Sequence, residues 1–217
     1  MIRLIIFDFD GTLSSEREYI YGCLKTVSKI LEKKYGIEES YEKLIRLFNE
    51  SWHDTFGRLF RQENIKYNEE QIGELVKIYR DTPPVVRIYE DVIQTFLELK
   101  ARNIKLGVLT NGYYRIQKDK IKKSQLEEYL DIIEIPDLYG REFWKPDARR
   151  ITNILEQLII GKEEVLYIGD SDSDYIFTEK AGISMAYIER SDAVNEFHFR
   201  ERVQYVIKSL QDIERII

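Results

Sequence analysis

The first apolar stretch of the chain is Leu4-Ile5-Ile6-Phe7, a run of strand length with no polar break. After Leu13 the pattern changes period. From Glu16 to Tyr35 the apolar residues Ile20, Leu24, Val27, Ile30 and Leu31 recur at helical spacing, and Gly36 follows as a terminator. A second helix is predicted from about Tyr41 to Gln62, with Leu44, Leu47, Phe48, Phe56, Leu59 and Phe60 on its apolar side. Asn68 and Gln71 have the spacing of a capping box and open a third helix through Ile72, Leu75, Val76 and Tyr79. Pro83-Pro84 stops it.

Beyond the prolines strands and helices alternate. Helix is predicted over 91–102, strand over 104–109, helical stretches to about 129 and a short strand over 131–135. A helix over 147–159, a strand over 165–168, a helix to Ala181 and a strand over 184–188 follow, with a short strand and helix from Tyr205 onward. This alternation implies an α/β fold: a parallel, Rossmann-like sheet with helices on both faces. The all-helical block after the first strand interrupts it. The predicted organisation is therefore a core of residues 1–13 and 84–217, with an inserted helical domain over 14–83.

Composition narrows the partners. The 217 residues carry 33 basic and 39 acidic side chains, a formal charge of −6, which argues against a nucleic-acid backbone as partner. Cys23 is the one cysteine, so there is no intramolecular disulfide, and it reads as a small apolar residue on a helix face. No apolar stretch approaches the length of a membrane span, and the N-terminal run is only a strand long. The expectation is a soluble, cytoplasmic protein without membrane partners, monomer or homodimer.

Chemistry concentrates at the predicted strand ends. The first strand runs into Asp8 and Asp10, two acids whose side chains share a face if the strand continues through both. Carboxylates held that close require a cation, a shared proton or a reaction. Thr110-Asn111-Gly112 ends the next long strand, and Gly169-Asp170 ends another, with Asp174 four residues on. Lys145-Pro146-Asp147 stands in the turn into a helix. In an open α/β sheet these points meet at one edge, where ligands bind. Four carboxylates, a lysine, a hydroxyl and glycine-flanked amides suit phosphoryl transfer with Mg²⁺, which takes oxygen ligands and keeps several waters. Thr110, Lys145 and the Asn111 amide are candidate phosphate contacts, and a carboxylate can serve as nucleophile. Asp172 fits neither ligand position and reads as charge at a helix N-terminus.

The four motifs D-F-D-G-T (8–12), L-T-N-G (109–112), W-K-P-D (144–147) and G-D-S-D-S-D (169–174) resemble, in order and over essentially the whole chain, those of the haloacid dehalogenase superfamily. The resemblance is to its phosphatases with a helical cap inserted after the first strand, of the phosphoglycolate phosphatase kind. It implies that Asp8 attacks phosphorus. Asp10 protonates the leaving alkoxide and then activates the water that hydrolyses the phospho-aspartate. It also implies a Mg²⁺ set of Asp8, Asp10 through its backbone carbonyl, Asp170 and Asp174, the last orienting a bound water or Lys145. Thr110 and Lys145 stabilise charge on the transferring group.

The second acid separates the branches. Halide departs without a proton, whereas an alkoxide benefits from a general acid, so Asp10 favours ester hydrolysis over dehalogenation. The expected function is a Mg²⁺-dependent phosphatase of small phosphorylated metabolites. A phosphomutase, a 2-haloacid dehalogenase and a non-catalytic phosphate-binding regulator are the alternatives. Trp52, His53 and Arg58 are the helical-domain candidates for touching the leaving group, set against packing for Trp52 and solvated surface for the other two. Ser14-Ser15-Glu16 departs from the commoner apolar-Asp-Ser sequence of the family, at the loop bordering the cap hinge, and Trp144 is bulky for its position.

Overall fold

The computed structural model describes residues 1–194 and 196–217. The chain divides into two compact units, residues 1–17 with 86–217, and residues 18–85. The division lies a few residues beyond the 13/14 and 83/84 boundaries read from the sequence. Ser14 bridges to Asp10 and Ile88, and the Ser15 amide donates to the Arg87 carbonyl at 2.9 Å, so these residues stay with the sheet.

Among the described residues the first unit holds six strands: β1 (Leu4–Phe7), β2 (Lys105–Leu109), β3 (Ile132–Glu134), β4 (Val165–Gly169), β5 (Ser184–Ile188) and β6 (Tyr205–Ile207). Their order is β3-β2-β1-β4-β5-β6 and every pairing is parallel. Parallel strands need crossovers, and helices provide those leading up to β5. The helices of this unit are α5 (Val92–Ala101), α6 (Tyr114–Ser124), α7 (Arg149–Leu158) and α8 (Asp172–Ala181), numbered after α1–α4 below.

Alternation along each strand divides the apolar residues between two cores, as a sheet covered on both faces requires. Ile5, Phe7, Leu106, Val108, Leu166 and Ile168 pack with Val92, Phe96 and Leu99 of α5 and Ile121 of α6. Leu4, Ile6, Val165 and Tyr167 face the other way, with Ile151, Ile154 and Leu155 of α7 and Phe177 and Ala181 of α8. At about 25 cal/mol per Å² of apolar area, each such side chain contributes about 2 kcal/mol against the cost of ordering the chain.

The second unit is helical: most of α1 (Glu16–Tyr35), then α2 (Ser40–Glu50), α3 (Thr55–Gln62) and α4 (Glu69–Asp81). Leu24, Val27, Leu31, Leu44, Leu47, Leu59, Phe60 and Leu75 are buried. The capping box of α4 is present, with Asn68 Oδ1 accepting from the Gln71 amide at 2.9 Å and the Gln71 side chain accepting from the Asn68 amide at 3.0 Å. The single helix predicted from Tyr41 to Gln62 is two. Ser51 is extended and Asp54 takes the left-handed conformation at φ 49°, so the chain turns between Glu50 and Thr55. Arg58 holds the break together by donating to the carbonyls of Leu47 and Ser51 at 3.1 and 2.8 Å. The last predicted helix is a 3₁₀ segment, Leu210–Arg215.

Candidate active site

Parallel pairing sets the strand ends level. Phe7 stands between Val108 and Ile168, so the chain leaves β1 at Asp8 between the ends of β2 and β4. The Asp8 amide still bonds the Ile168 carbonyl at 2.8 Å, which fixes the Asp8 backbone against β4. Gly11 then turns the loop at φ 75°, and a Cβ there would overlap the Asp170 carboxylate. Only glycine permits that approach.

Lys145 is the hub. Its Nζ donates to Asp8 Oδ1 at 2.8 Å, to Asp174 Oδ1 at 2.6 Å and to the Tyr167 hydroxyl at 2.8 Å, all buried. An unpaired buried ammonium would be prohibitively costly, and three acceptors satisfy its three donors. Burial works against its charge, but Asp174 and Asp8 outweigh burial and hold the lysine protonated. Asp174 is fully buried, and its second oxygen accepts from the Ser171 amide at 3.0 Å and the Ser171 hydroxyl at 2.6 Å, the capping box of α8. Asn111 fixes the lysine's backbone: its Oδ1 accepts from the Lys145 amide at 2.8 Å and its Nδ2 donates to the Lys145 carbonyl at 3.0 Å. The Asn111 side chain thus ties two loops together. Thr110 is buried, with its hydroxyl 3.1 Å from Gln117 Nε2.

The carboxylates crowd. Asp8, Asp170 and Asp174 each offer an oxygen within 4.8 Å of the others. Burial pushes the Asp8 carboxyl up to about 6; Lys145 opposes the shift, and Asp174 and Asp10 add to it. Asp170 is raised well above the carboxylate range by burial and then by the charges of Asp8 and Asp174, with the Thr12 hydroxyl donating to it at 3.2 Å. Hard oxygen donors with surplus buried negative charge fit a divalent cation of the Mg²⁺ class. Asp174 is the least available of the three, because both its oxygens already accept hydrogen bonds.

Asp10 is handled differently. Lys120 Nζ lies 2.9 and 2.8 Å from its two oxygens, and Gln117 Nε2 donates to Oδ2 at 2.8 Å. Nearby, burial pushes Glu16 up to about 7; the charge of Asp10 adds to the shift, Lys120 opposes it and Asp8 contributes further.

All the core residues singled out in the sequence, Asp8, Asp10, Thr110, Asn111, Lys145, Asp170 and Asp174, therefore gather at one sheet edge. Trp52, His53 and Arg58 lie in the helical unit. Trp52 is 60% exposed and stacked on His53 at 3.8 Å, which corrects its reading as a packed core residue. Arg58 is engaged by the α2 carbonyls and by Glu50 at 2.6 Å rather than being simply solvated.

Several contributors were not singled out in the sequence: Thr12, Gln117, Lys120, Tyr167, Ser171 and Arg190. Gln117 and Lys120 share a helix face at i, i+3, a signal that could have been read one turn beyond Thr110-Asn111-Gly112. Tyr167 looks like any core residue of β4. Arg190 donates to the Thr12 carbonyl at 3.2 and 2.8 Å, pairs with Asp91 at 2.7 Å and stacks on Tyr89 at 4.0 Å, holding the loop after β1 from behind.

Comparison with known proteins agrees with this architecture. The family model of haloacid dehalogenase-like hydrolases matches residues 5–188. Pyrophosphatase PpaX of Bacillus thuringiensis is 28% identical over 192 residues, covering 86% of this chain and 83% of that protein. Among solved structures, a HAD-superfamily hydrolase of subfamily IA, variant 1, from Geobacter sulfurreducens superposes with a TM-score of 0.73 at 20% identity, covering 99% of this chain and 96% of that one. A HAD phosphatase from Thermococcus onnurineus superposes with a TM-score of 0.66 at 24% identity, covering 99% and 97%. Among the described residues no helix is long and apolar enough to cross a membrane.

Proposed function

Because the chain belongs to the haloacid dehalogenase-like hydrolase family, we propose that it is a phosphatase of small phosphorylated compounds, working through a phospho-aspartate on Asp8. The observation that carries this reading is the buried Lys145, which joins Asp8 to Asp174 at the end of the central strand. A site built only to bind phosphate gains nothing from aiming a carboxylate at it.

In the first step an Asp8 oxygen attacks phosphorus while Asp10 gives its proton to the departing oxygen. In the second, Asp10 takes a proton from the water that attacks the phospho-aspartate, and phosphate leaves. Lys145 and the Thr110 hydroxyl receive charge from the phosphoryl oxygens, and Asn111 keeps the backbone of Lys145 in register with the Thr110 loop. Such fixed dipoles and charges contribute the larger part of phosphoryl-transfer catalysis. Asp8, Asp170 and the Asp10 backbone carbonyl would hold Mg²⁺, with Asp174 beside them orienting Lys145. When bound, the ion neutralises negative charge on the phosphoryl group. Residues 18–85 serve as the cap that selects the leaving group.

The test is phosphate release from a panel of sugar, polyol, glycolate and nucleoside phosphates, with inorganic pyrophosphate included because the Bacillus relative is named for it. Release is expected with Mg²⁺ and is abolished by EDTA. Folded protein that releases no phosphate from any member overturns the proposal.

A further inference from the structure

Helix α6 carries four lysines between Lys118 and Lys123. Lys118, Lys122 and Lys123 are exposed, as expected of a solvated face, while Lys120 turns inward and is buried. Its ammonium meets both oxygens of Asp10, at 2.9 and 2.8 Å. Gln117, one turn earlier and also buried, donates to Asp10 Oδ2 at 2.8 Å and reaches Thr110 Oγ1 at 3.1 Å and the Asn111 carbonyl at 2.5 Å. The donor end of this amide is crowded with acceptors, while its buried Oε1 has no partner among the described residues. The contacts of Gln117 run through Nε2, so it is placed for its N–H groups. Burying an ammonium is costlier still unless it is paired. Neither residue is needed to fill the core, which a leucine or methionine would do without that cost.

What they do together is fix one carboxyl group. Asp10 follows the strand, in the loop that Gly11 turns, and its side chain would otherwise rotate freely about χ1 and χ2. Contacts to both oxygens remove that freedom, and the Gln117 bonds tie its orientation to the Thr110 loop. We propose that Lys120, supported by Gln117, is a positioning residue for Asp10: it aims the carboxyl at the leaving oxygen and steadies the carboxylate left behind when the proton has moved. This rests on the reading of Asp10 as the proton donor. As the Asp8–phosphorus bond forms and the ester P–O bond breaks, the electron pair stays on the leaving oxygen, which takes the Asp10 proton. Water's oxygen then bonds phosphorus, its proton returns to Asp10 and the Asp8–phosphorus link breaks. Positioning of this kind matters most where the leaving group needs the proton most.

The experiment compares two substrates on the full chain with Mg²⁺. Glycerol 2-phosphate has a poor leaving group, and p-nitrophenyl phosphate has one that departs without a proton. Lys120→Met is expected to lower kcat on the first by about tenfold or more and on the second by less than about threefold. Lys120→Arg restores most of the loss. In an Asp10→Asn background Lys120→Met has no further effect, since the two act as one unit. Equal losses on both substrates, or the same loss with Asp10 already removed, overturn the proposal. Where Asp10→Asn slows glycerol 2-phosphate hydrolysis and Lys120→Met does not, this proposal alone fails. Where Asp10→Asn leaves that hydrolysis intact, the proton-donor reading fails with it. Should Lys120→Met not fold, Lys120→Gln replaces it in the same comparison, and the same results support or overturn the proposal.

Discussion

The two units differ in whether they bury charge. The sheet unit has surface ion pairs, such as Arg200 with Glu189, and also a set inside: Lys145 with Asp8 and Asp174, Lys120 with Asp10, Arg190 with Asp91, none of these inner side chains more than 15% exposed. In the helical unit they lie on the surface, as in Lys34 with Glu74 and Arg61 with Asp54, each about half exposed. A surface pair stabilises little because water serves each partner nearly as well. A buried pair pays desolvation twice and is rarely better for stability than packed hydrocarbon. Burial of charge is therefore the more informative signal: these charges are kept where they cost most because the site needs them there.

The sharpest break of this contrast is Asp8→Asn. Turnover is expected to fall by about 10⁴-fold or more while the fold survives, since the substitution removes the proposed nucleophile from a site whose other charges remain. Steady-state phosphate release with a circular dichroism spectrum checks it, and a variant retaining a tenth of its activity refutes it. Next, Lys145→Met strands two buried carboxylates. A loss of about 3–5 kcal/mol in urea unfolding at neutral pH is expected. A change below about 1 kcal/mol would mean that the acids relax without their lysine.

The pH dependence of stability sharpens the comparison further. The Glu16 carboxyl titrates near 7 in the folded protein against 4.5 ordinarily, so between those values the folded state holds the extra proton. Stability contributed by the protonated group is complete below about pH 4.5 and is lost as pH rises toward 7. In metal-free protein Glu16→Gln should flatten that part of the profile, and parallel curves for the two proteins would refute the assignment. Smaller still is Arg58→Met, expected to cost about 1 kcal/mol through the lost bonds to the α2 carbonyls, with KM unchanged. A raised KM would instead bring Arg58 to the substrate. Smallest is Lys34→Ala, for which no change in Tm is expected.

These contrasts also explain what could be read in advance. β1, β2, β4 and β5 were legible because a strand covered on both faces is an unbroken apolar run. The acids and Lys145 were legible because no strand end needs so many charges for folding. The break between α2 and α3 was hidden: the apolar spacing runs through it, and what enforces it is the left-handed Asp54 together with an arginine bonding carbonyls seven and eleven residues back. Lys120 was hidden for a related reason. It stands among lysines of the same helix, and only the packing of α6 against the sheet decides which one turns inward. Tyr167 carried no mark at all, since its hydroxyl matters only once Lys145 has arrived beside it.

The placement of β1 has a consequence for synthesis. Its hydrogen-bonded neighbours begin at Lys105 and Val165, so this strand leaves the ribosome well before either of them. The contacts among α2, α3 and α4 are local by comparison, and contacts of that kind form early. The partners of Asp8 arrive in the order Lys145, Asp170, Asp174, so the cluster around Asp8 is incomplete in a nascent chain until Asp174 has emerged. Until β2 emerges Leu4 to Phe7 is an apolar strand with two open edges, and one edge stays open through α6 until β4 arrives, an interval in which the growing chain is prone to pair with another.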